Sequence, residues 1–259
     1  LLNAGHTVTI FEAAAQPGGL ATGFKEPYWD WSVERFYHHW FQSDADLLGL
    51  ADETGLRQSV QFYAPKTVSF WNGDFYPLDS PMAALLFPGL SLFDKIPFGL
   101  ATIYLKYLVA NGIELEKYTA HDWASRWMGK GAYELIFQPL LDGKFGEEYS
   151  RKVNMAWLWA RLKSRTTKLG TYAGGGQKFY DDLAAHVQKR GANIVYSARV
   201  QNLAQADGAW AVAVSINKGE TQIQKFDRVL STTSPKVMGK LAPQLPSTYL
   251  GALNELKSL

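Results

Sequence analysis

The chain has 259 residues, of which 47% are hydrophobic and 14% aromatic, enough to build one large or two ordinary domains. Its 26 basic and 24 acidic residues leave a net charge of +2, a balance that argues against nucleic acid as a partner. The lack of cysteine excludes disulfides, thiolate metal sites and cysteine nucleophiles. No uninterrupted run reaches the ~20 apolar residues of a membrane span. The sequence therefore predicts a soluble, cytoplasmic protein and leaves a peripheral membrane contact open.

The first predicted elements are the end of a helix and a short strand. Residues 1 to 5 are typical of a helix that ends at a glycine, and residues 7 to 11 of a buried parallel strand. Glu12 follows the strand directly, and Pro17-Gly18-Gly19 comes shortly after it. An acidic residue at the end of the second strand of a Rossmann unit binds an adenosine ribose, and paired glycines let backbone N–H groups approach a pyrophosphate. This pattern predicts part of a dinucleotide site whose first glycine-rich turn precedes Leu1.

A helix, a hairpin and a long helical region are predicted next. A polar N-cap and a closing glycine favour a helix over about 44 to 54. Residues 67 to 71 and 75 to 78 flank Asn72-Gly73-Asp74, which is a hairpin signal. From 81 to about 163 the pattern is mostly helical and aromatic. We interpret this region as an inserted substrate domain.

The pattern changes back to α/β at Gly174-Gly175-Gly176. The triplet precedes an amphipathic helix that Gly191 ends, and strands are predicted over 194 to 196 and 200 to 203. Glycines before a helix can present N–H groups to an anion. We interpret the triplet first as a marker of the return to the nucleotide-binding domain and second as a ligand contact.

Residues 34 to 41 form a second cluster, with two histidines, an arginine and four aromatic residues. Adjacent histidines such as His38 and His39 point in different directions on a strand or a helix. A metal site needs three or four converging ligands, so no metal is expected here.

The spacing from Glu12 through Gly18-Gly19 to Leu20-Ala21-Thr22 resembles the FAD-binding superfamily of amine oxidases, protoporphyrinogen oxidases, phytoene desaturases and UDP-galactopyranose mutases. The resemblance implies an α/β fold with an incomplete Rossmann-like FAD-binding domain and an inserted, mainly helical substrate domain. It implies FAD as a cofactor, and the lack of cysteine makes that FAD noncovalent unless a histidine is used. Glu12 would bind the ribose, Gly18 and Gly19 the diphosphate, with Leu20 and Ala21 in the same turn. Val200 would pair with the adenine through its backbone.

The same resemblance implies a division of the chain into three segments. Residues 1–60 would be the first part of the FAD-binding domain, 61–168 the inserted substrate domain, and 169–259 the second part of the FAD-binding domain. It also implies that the chain is a fragment, with further segments before Leu1 and beyond Leu259. We therefore expect the 259 residues alone to bind FAD poorly or not at all.

The histidines are the candidate catalytic residues. Residues 39 to 44 resemble the histidine-containing segment of UDP-galactopyranose mutases, although Tyr37-His38 replaces a Gly-Pro pair and Gln42 a second histidine. A histidine beside a flavin can hydrogen-bond the ring or take a proton, which would assign these roles to His38 and His39. The alternative is that one of the pair caps the helix near Asp44 and the other lies in the core.

Three functions remain open from the sequence. The first is an FAD-dependent oxidoreductase that removes hydride from a C–H or C–N bond of a small organic substrate. The second is a flavin isomerase similar to UDP-galactopyranose mutase, in which Arg161 and Arg165 would grip a diphosphate. The third is a noncatalytic binding module that keeps the fold.

Overall fold

A computed structural model describes residues 1–36, 38, 40–78 and 81–256. The strands in this part of the chain are β1 Thr9–Phe11, β2 Gly23–Phe24, β3 Val33–Glu34, β4 Trp40–Phe41, β5 Val60–Tyr63, β6 Val68–Trp71, β7 Asp74–Pro77, β8 Leu169–Tyr172, β9 Asn193–Val195, β10 Ala198–Ala206, β11 Ala209–Ile216 and β12 Thr221–Phe226. The α-helices are α1 Ala45–Glu53, α2 Pro81–Leu86, α3 Leu92–Ile103, α4 Ala120–Trp127, α5 Lys130–Ala132, α6 Gln138–Phe145, α7 Glu147–Ser150, α8 Met155–Ser164, α9 Gly176–Lys189, α10 Pro235–Leu241 and α11 Ser247–Glu255. Short π-helical segments, Tyr104–Leu108 and Tyr133–Phe137, continue α3 and α5.

The chain divides into two compact units. The first unit consists of Leu1–His38, Leu48–Gln61 and Thr171–Ser258, and the second of His39–Leu47, Phe62–Gly170 and Leu259. Each unit is therefore built from separate stretches of sequence. The assignment of an FAD-binding role to the first and a substrate role to the second stays a prediction.

The first unit contains the predicted parallel strand. β1 pairs in parallel with β9, with Thr9 opposite Asn193 and Phe11 opposite Val195. The prediction that this strand is buried was wrong, because Ile10 is 42% exposed. In the described residues β1 and β9 form a two-stranded sheet, which leaves one face of Ile10 uncovered.

The first unit also contains an antiparallel sheet of β10, β11 and β12 and a short antiparallel pair of β2 and β3. The register of β10 against β11 shifts between Val200 and Asn202, as in a β-bulge. Leu203, Val212 and Ala242 are buried beneath this sheet, and Phe11 packs against them. Two side chains of β11 belong to this core, because Val212 is buried in it and Trp210 packs against it.

The second unit combines a hairpin with a helical core. β6 and β7 are joined by Asn72 and Gly73, which both have positive φ (52° and 91°), as a type I′ turn requires. Asp74, predicted in the turn, instead pairs with Trp71 because this turn needs only two residues. Buried side chains from several helices form the core, including Leu105, Met128, Leu141, Met155 and Leu158. Among the helices of the described residues, none has the length and apolar character needed to cross a bilayer.

Candidate functional site

Glu12 lies where β1 ends, and its backbone is fixed from both sides. Its N–H donates to the Val195 carbonyl oxygen at 2.9 Å, and its own carbonyl accepts from the Ala198 N–H at 2.9 Å. Oε1 of its carboxylate accepts from the Ala14 N–H at 2.7 Å. No described residue donates to Oε2, so this oxygen can still accept hydrogen bonds. A fixed carboxylate with one unused oxygen fits the hydroxyl groups of a ribose.

The turn at Gly18 and Gly19 presents backbone donors to solvent. The two glycines have φ of 120° and 54°, and Gly19–Ala21 forms one turn of 3-10 helix. The Ala21 N–H donates to the Gly18 carbonyl oxygen at 2.8 Å, whereas the N–H groups of Gly19 and Leu20 meet no acceptor in the described part of the chain. Successive N–H groups in such a turn form a concavity that attracts anions. The turn therefore fits the oxygens of a diphosphate.

Gln177, in the first turn of α9, holds this turn in place. It is 9% exposed. Its Oε1 accepts from the Gly23 N–H at 3.0 Å and from Gln16 Nε2 at 3.1 Å. Its Nε2 donates to the Pro17 carbonyl oxygen at 3.0 Å and to Asp181 Oδ1 at 2.9 Å. All four hydrogen bonds expected of a buried amide are made, and three of them reach both ends of the glycine turn.

Sequence reasoning missed Gln177. The available signal was the position of two glutamines: Gln177 directly follows the glycine triplet at a predicted helix start, and Gln16 comes just before Pro17-Gly18-Gly19. Such a signal does not identify its partner, because Gln16 and Gln177 are 161 positions apart.

The glycine triplet packs against β3 and does not leave its helix terminus open. Gly175 has φ of 94°, and a Cβ there would overlap the Ser32 backbone oxygen. The Gly176 N–H donates to Glu34 Oε1 at 3.2 Å. A carboxylate of the chain itself therefore occupies the start of α9, where an anion is favoured. The interpretation of the triplet as a topological marker fits this packing better than its interpretation as a ligand contact.

Two tyrosines lie beside these groups. Burial raises the pKa of the Tyr180 phenol, and the Glu34 carboxylate raises it further. Burial also raises the pKa of Tyr196, with smaller contributions from Asp181 and Glu12. Both phenols therefore stay neutral into the alkaline range and add no negative charge beside the glycine turn.

The structure brings Glu12 and Val200 to one place. Val200 follows Ala198, which is hydrogen-bonded to Glu12, and it packs with Phe11 against the core beneath β10. Its side chain is therefore structural, and the register shift after it locally interrupts the strand pairing. The backbone contact with adenine stays a prediction.

Within the described residues no hydrogen bond joins His38 to this cluster. His38 is exposed, and its Nδ1–H donates to the Phe36 carbonyl oxygen at 2.6 Å. His39 lies outside the described residues. Asp44 Oδ2 accepts from the Phe41 N–H at 2.7 Å in the turn before α1. The catalytic roles of His38 and His39 stay predictions.

The model of one protein family, the flavin-containing amine oxidoreductases, matches residues 1–259. No curated protein matches the chain. An oxidoreductase from Methanosarcina mazei is similar in structure, with 17% identity, a TM-score of 0.72, and coverage of 99% of this chain and 61% of that one. Cyclohexylamine oxidase from Brevibacterium oxydans has 13% identity, a TM-score of 0.68, and coverage of 98% and 59%.

A third similar structure is a fatty acid isomerase from P. acnes that produces CLA, with 15% identity, a TM-score of 0.65, and coverage of 95% of this chain and 57% of that one. The chain thus spans about three fifths of the length of these structures. At these identities the likeness concerns the fold alone, and it confirms the α/β class predicted from the sequence.

Proposed function

The chain belongs to the family of flavin-containing amine oxidoreductases, and from this membership we propose that the whole protein is an FAD-dependent oxidoreductase acting on a small organic substrate. FAD, when bound, would supply the chemistry by accepting a hydride from a C–H bond of the substrate, which in an amine lies next to the C–N bond that is oxidised. The 259 residues contribute binding and orientation. They supply the ribose and diphosphate contacts of the cofactor, and His38 and His39 are the candidates beside the reacting groups.

The observation that carries the proposal is the set of open polar groups around the glycine turn. The N–H groups of Gly19 and Leu20 point to no acceptor among the described residues, and Glu12 keeps one carboxylate oxygen available. Hydrogen bonds from Gln177 to Gly23 and Pro17 fix the turn, so little conformational entropy is lost when the cofactor binds. A dinucleotide needs N–H donors for its diphosphate next to an acceptor for its ribose hydroxyl groups, and the turn and Glu12 provide both.

The first experiment is the absorbance spectrum of the full-length protein, purified without added cofactor. We expect an oxidised-flavin band that weakens in Glu12→Ala and is unchanged in Glu220→Ala, which removes an exposed glutamate of the same unit. A spectrum without flavin in the wild type, even after reconstitution with FAD, would refute the proposal. A flavin that binds but cannot be reduced by any substrate or reductant would favour a noncatalytic binding module.

The fold alone does not separate an oxidase from an isomerase, since one structural neighbour is a cyclohexylamine oxidase and another a fatty acid isomerase. The arginines expected in a mutase-like site are engaged elsewhere in the second unit. The Arg161 guanidinium lies 5.3 Å from the centre of the Trp157 ring, and Arg165 Nη2 lies 3.4 Å from Thr67 Oγ1. Family membership therefore favours the oxidoreductase. Turnover with amines and an electron acceptor, and indifference to UDP-sugars, is the expected result of a substrate screen.

A further inference from the structure

Two asparagines of the chain, Asn72 and Asn111, are followed directly by glycine. An asparagine in this position is prone to spontaneous loss of its side-chain amide, because the glycine has no side chain to hinder attack by its own backbone nitrogen. The sequence alone does not distinguish Asn72-Gly73 from Asn111-Gly112. Both asparagines are exposed, so any difference between them comes from how the structure holds each pair.

Asn72 and Gly73 form the tip of the β6–β7 hairpin and are held by few contacts. Both have positive φ, 52° and 91°, a backbone region that is costly for a residue with a side chain. In the described part of the chain no group binds the Asn72 side-chain amide, and a Cβ built on Gly73 would meet nothing within 4 Å. The peptide between the two residues is therefore free to rotate and bring the Gly73 nitrogen to the Asn72 side chain. Such local opening at a hairpin tip leaves the strand pairs beyond it intact, so its free-energy cost is small.

The second pair, Asn111 and Gly112, is held on both sides. Asn111 Oδ1 accepts from the Ile113 N–H at 3.2 Å. Gly112 packs against the Trp159 ring, since a Cβ built on this glycine would lie 2.6 Å from Cε3 of that ring. The ring is itself fixed, because Trp159 Nε1 donates to the Leu105 carbonyl oxygen at 2.9 Å. Attack on the Asn111 side chain therefore requires loss of a hydrogen bond and rotation of a peptide that an indole confines.

We propose that Asn72 is a site of spontaneous deamidation and that the fold protects Asn111. The backbone nitrogen of Gly73 attacks Cγ of Asn72. A bond forms between these two atoms, the Cγ–Nδ2 bond breaks, and Nδ2 leaves as ammonia with the proton of the Gly73 amide. Water then opens the cyclic imide at either of its carbonyl carbons, which gives aspartate or isoaspartate. Water is the single co-reactant, so the proposal stands independently of the proposed enzymatic function.

Both products change the hairpin. Each places a new carboxylate two positions before Asp74. Isoaspartate also adds a carbon to the main chain of a turn whose geometry matches the flanking strands with two residues. The strand pair next to the turn is Trp71 opposite Asp74, and the Trp71 ring packs against Tyr76 and Phe87 with centroid distances of 6.1 and 5.8 Å. Isoaspartate therefore loosens Trp71 from these rings and opens the hairpin to proteolysis.

The test is ageing of the full-length protein in mildly alkaline buffer, native and in urea, followed by tryptic digestion and mass spectrometry. Residues 67–95 and 107–117 form two tryptic peptides that contain Asn72 and Asn111, respectively, as their single asparagine. In the native protein we expect Asn72 to lose its amide at least about fivefold faster than Asn111, the factor expected for one retained hydrogen bond. In urea the two rates should agree within about twofold. The 67–95 peptide of the aged native protein should also be a substrate of protein isoaspartyl methyltransferase.

Asn72→Gly is the matched variant, because a Gly-Gly turn keeps the backbone geometry and has no amide to lose. Chymotrypsin should cut the aged wild type after Phe70 and Phe75, which are both exposed, faster than the fresh protein. It should cut aged and fresh Asn72→Gly at equal rates. Retention of the Asn72 amide in the native protein would overturn the proposal, since the hairpin tip would then be held closed or covered by another part of the protein. Equal rates of loss from Asn72 and Asn111 in the native protein would overturn it as well, and equal cleavage of aged and fresh wild type would refute the loosening of the hairpin.

Discussion

Replacement of Gln177 by leucine removes four hydrogen bonds at almost constant side-chain volume. The Gly23 N–H, which is buried, loses its acceptor, and an unsatisfied buried donor costs about 1–3 kcal/mol. The Pro17 carbonyl and the Gln16 amide are only partly buried and can turn to water, so each of these losses costs about 0.5–1 kcal/mol. We expect the free energy of unfolding to fall by about 2–5 kcal/mol.

The same change should loosen the glycine turn and weaken FAD binding. Since about 1.4 kcal/mol corresponds to a tenfold change in affinity, even half of the lost energy raises the dissociation constant for FAD about tenfold. Urea denaturation and FAD titration of the full-length protein measure the two effects. Gln188→Leu is the matched control, because Gln188 is an exposed glutamine on the same helix. If both variants bound FAD and unfolded like the wild type, the role assigned to Gln177 would be wrong.

Three further predictions concern the same unit. Glu12→Ala should raise the dissociation constant for FAD, whereas Glu12→Gln, which keeps an acceptor oxygen, should raise it less; equal losses in a titration would contradict the ribose assignment. Gly175→Ala should lower the free energy of unfolding by more than ~2 kcal/mol, of which ~1 comes from the positive φ and the rest from the clash with Ser32. Gly191→Ala should lower it only by the contribution of the positive φ, because Gly191 has φ of 96° and open space around it. Equal effects of the two variants in urea denaturation would argue against the clash. Because the pKa of Tyr180 is raised in the folded state, its contribution to stability is present below about pH 10 and is lost as the pH rises through the folded pKa. Tyr180→Phe should therefore flatten the alkaline fall in stability, while Tyr28→Phe, at an exposed position, should not.

The elements that the sequence predicted correctly depend on local patterns. The hairpin at Asn72-Gly73 follows from two adjacent residues that tolerate positive φ, and α9 from an apolar period bounded by glycines. The resemblance to flavin-containing amine oxidoreductases, carried by Glu12 and the glycine pair, is confirmed by the family match. The contacts that fix the candidate site are not local. Gln177 meets Gln16 and Pro17, and Glu34 meets Gly176, across more than a hundred residues, a separation that periodicity cannot bridge.

In the sequence both glycine clusters could offer N–H groups to an anion, although we interpret the triplet first as a topological marker. The structure separates the two clusters by what their N–H groups already bind. At Gly176 the N–H donates to the Glu34 carboxylate, so an added diphosphate would have to displace a charge that the helix terminus already stabilises. At Gly19 and Leu20 no such displacement is needed, since the described residues supply no competing acceptor. Burial raises the pKa of Tyr180, and the nearby Glu34 carboxylate raises it further, so a second negative charge beside Glu34 is disfavoured. Glu34→Gln would remove that charge while keeping an acceptor for the Gly176 N–H. If the diphosphate seat is the Gly18-Gly19 turn, this variant should leave FAD affinity within about twofold of wild type, and a large gain in affinity would place the seat at α9 instead.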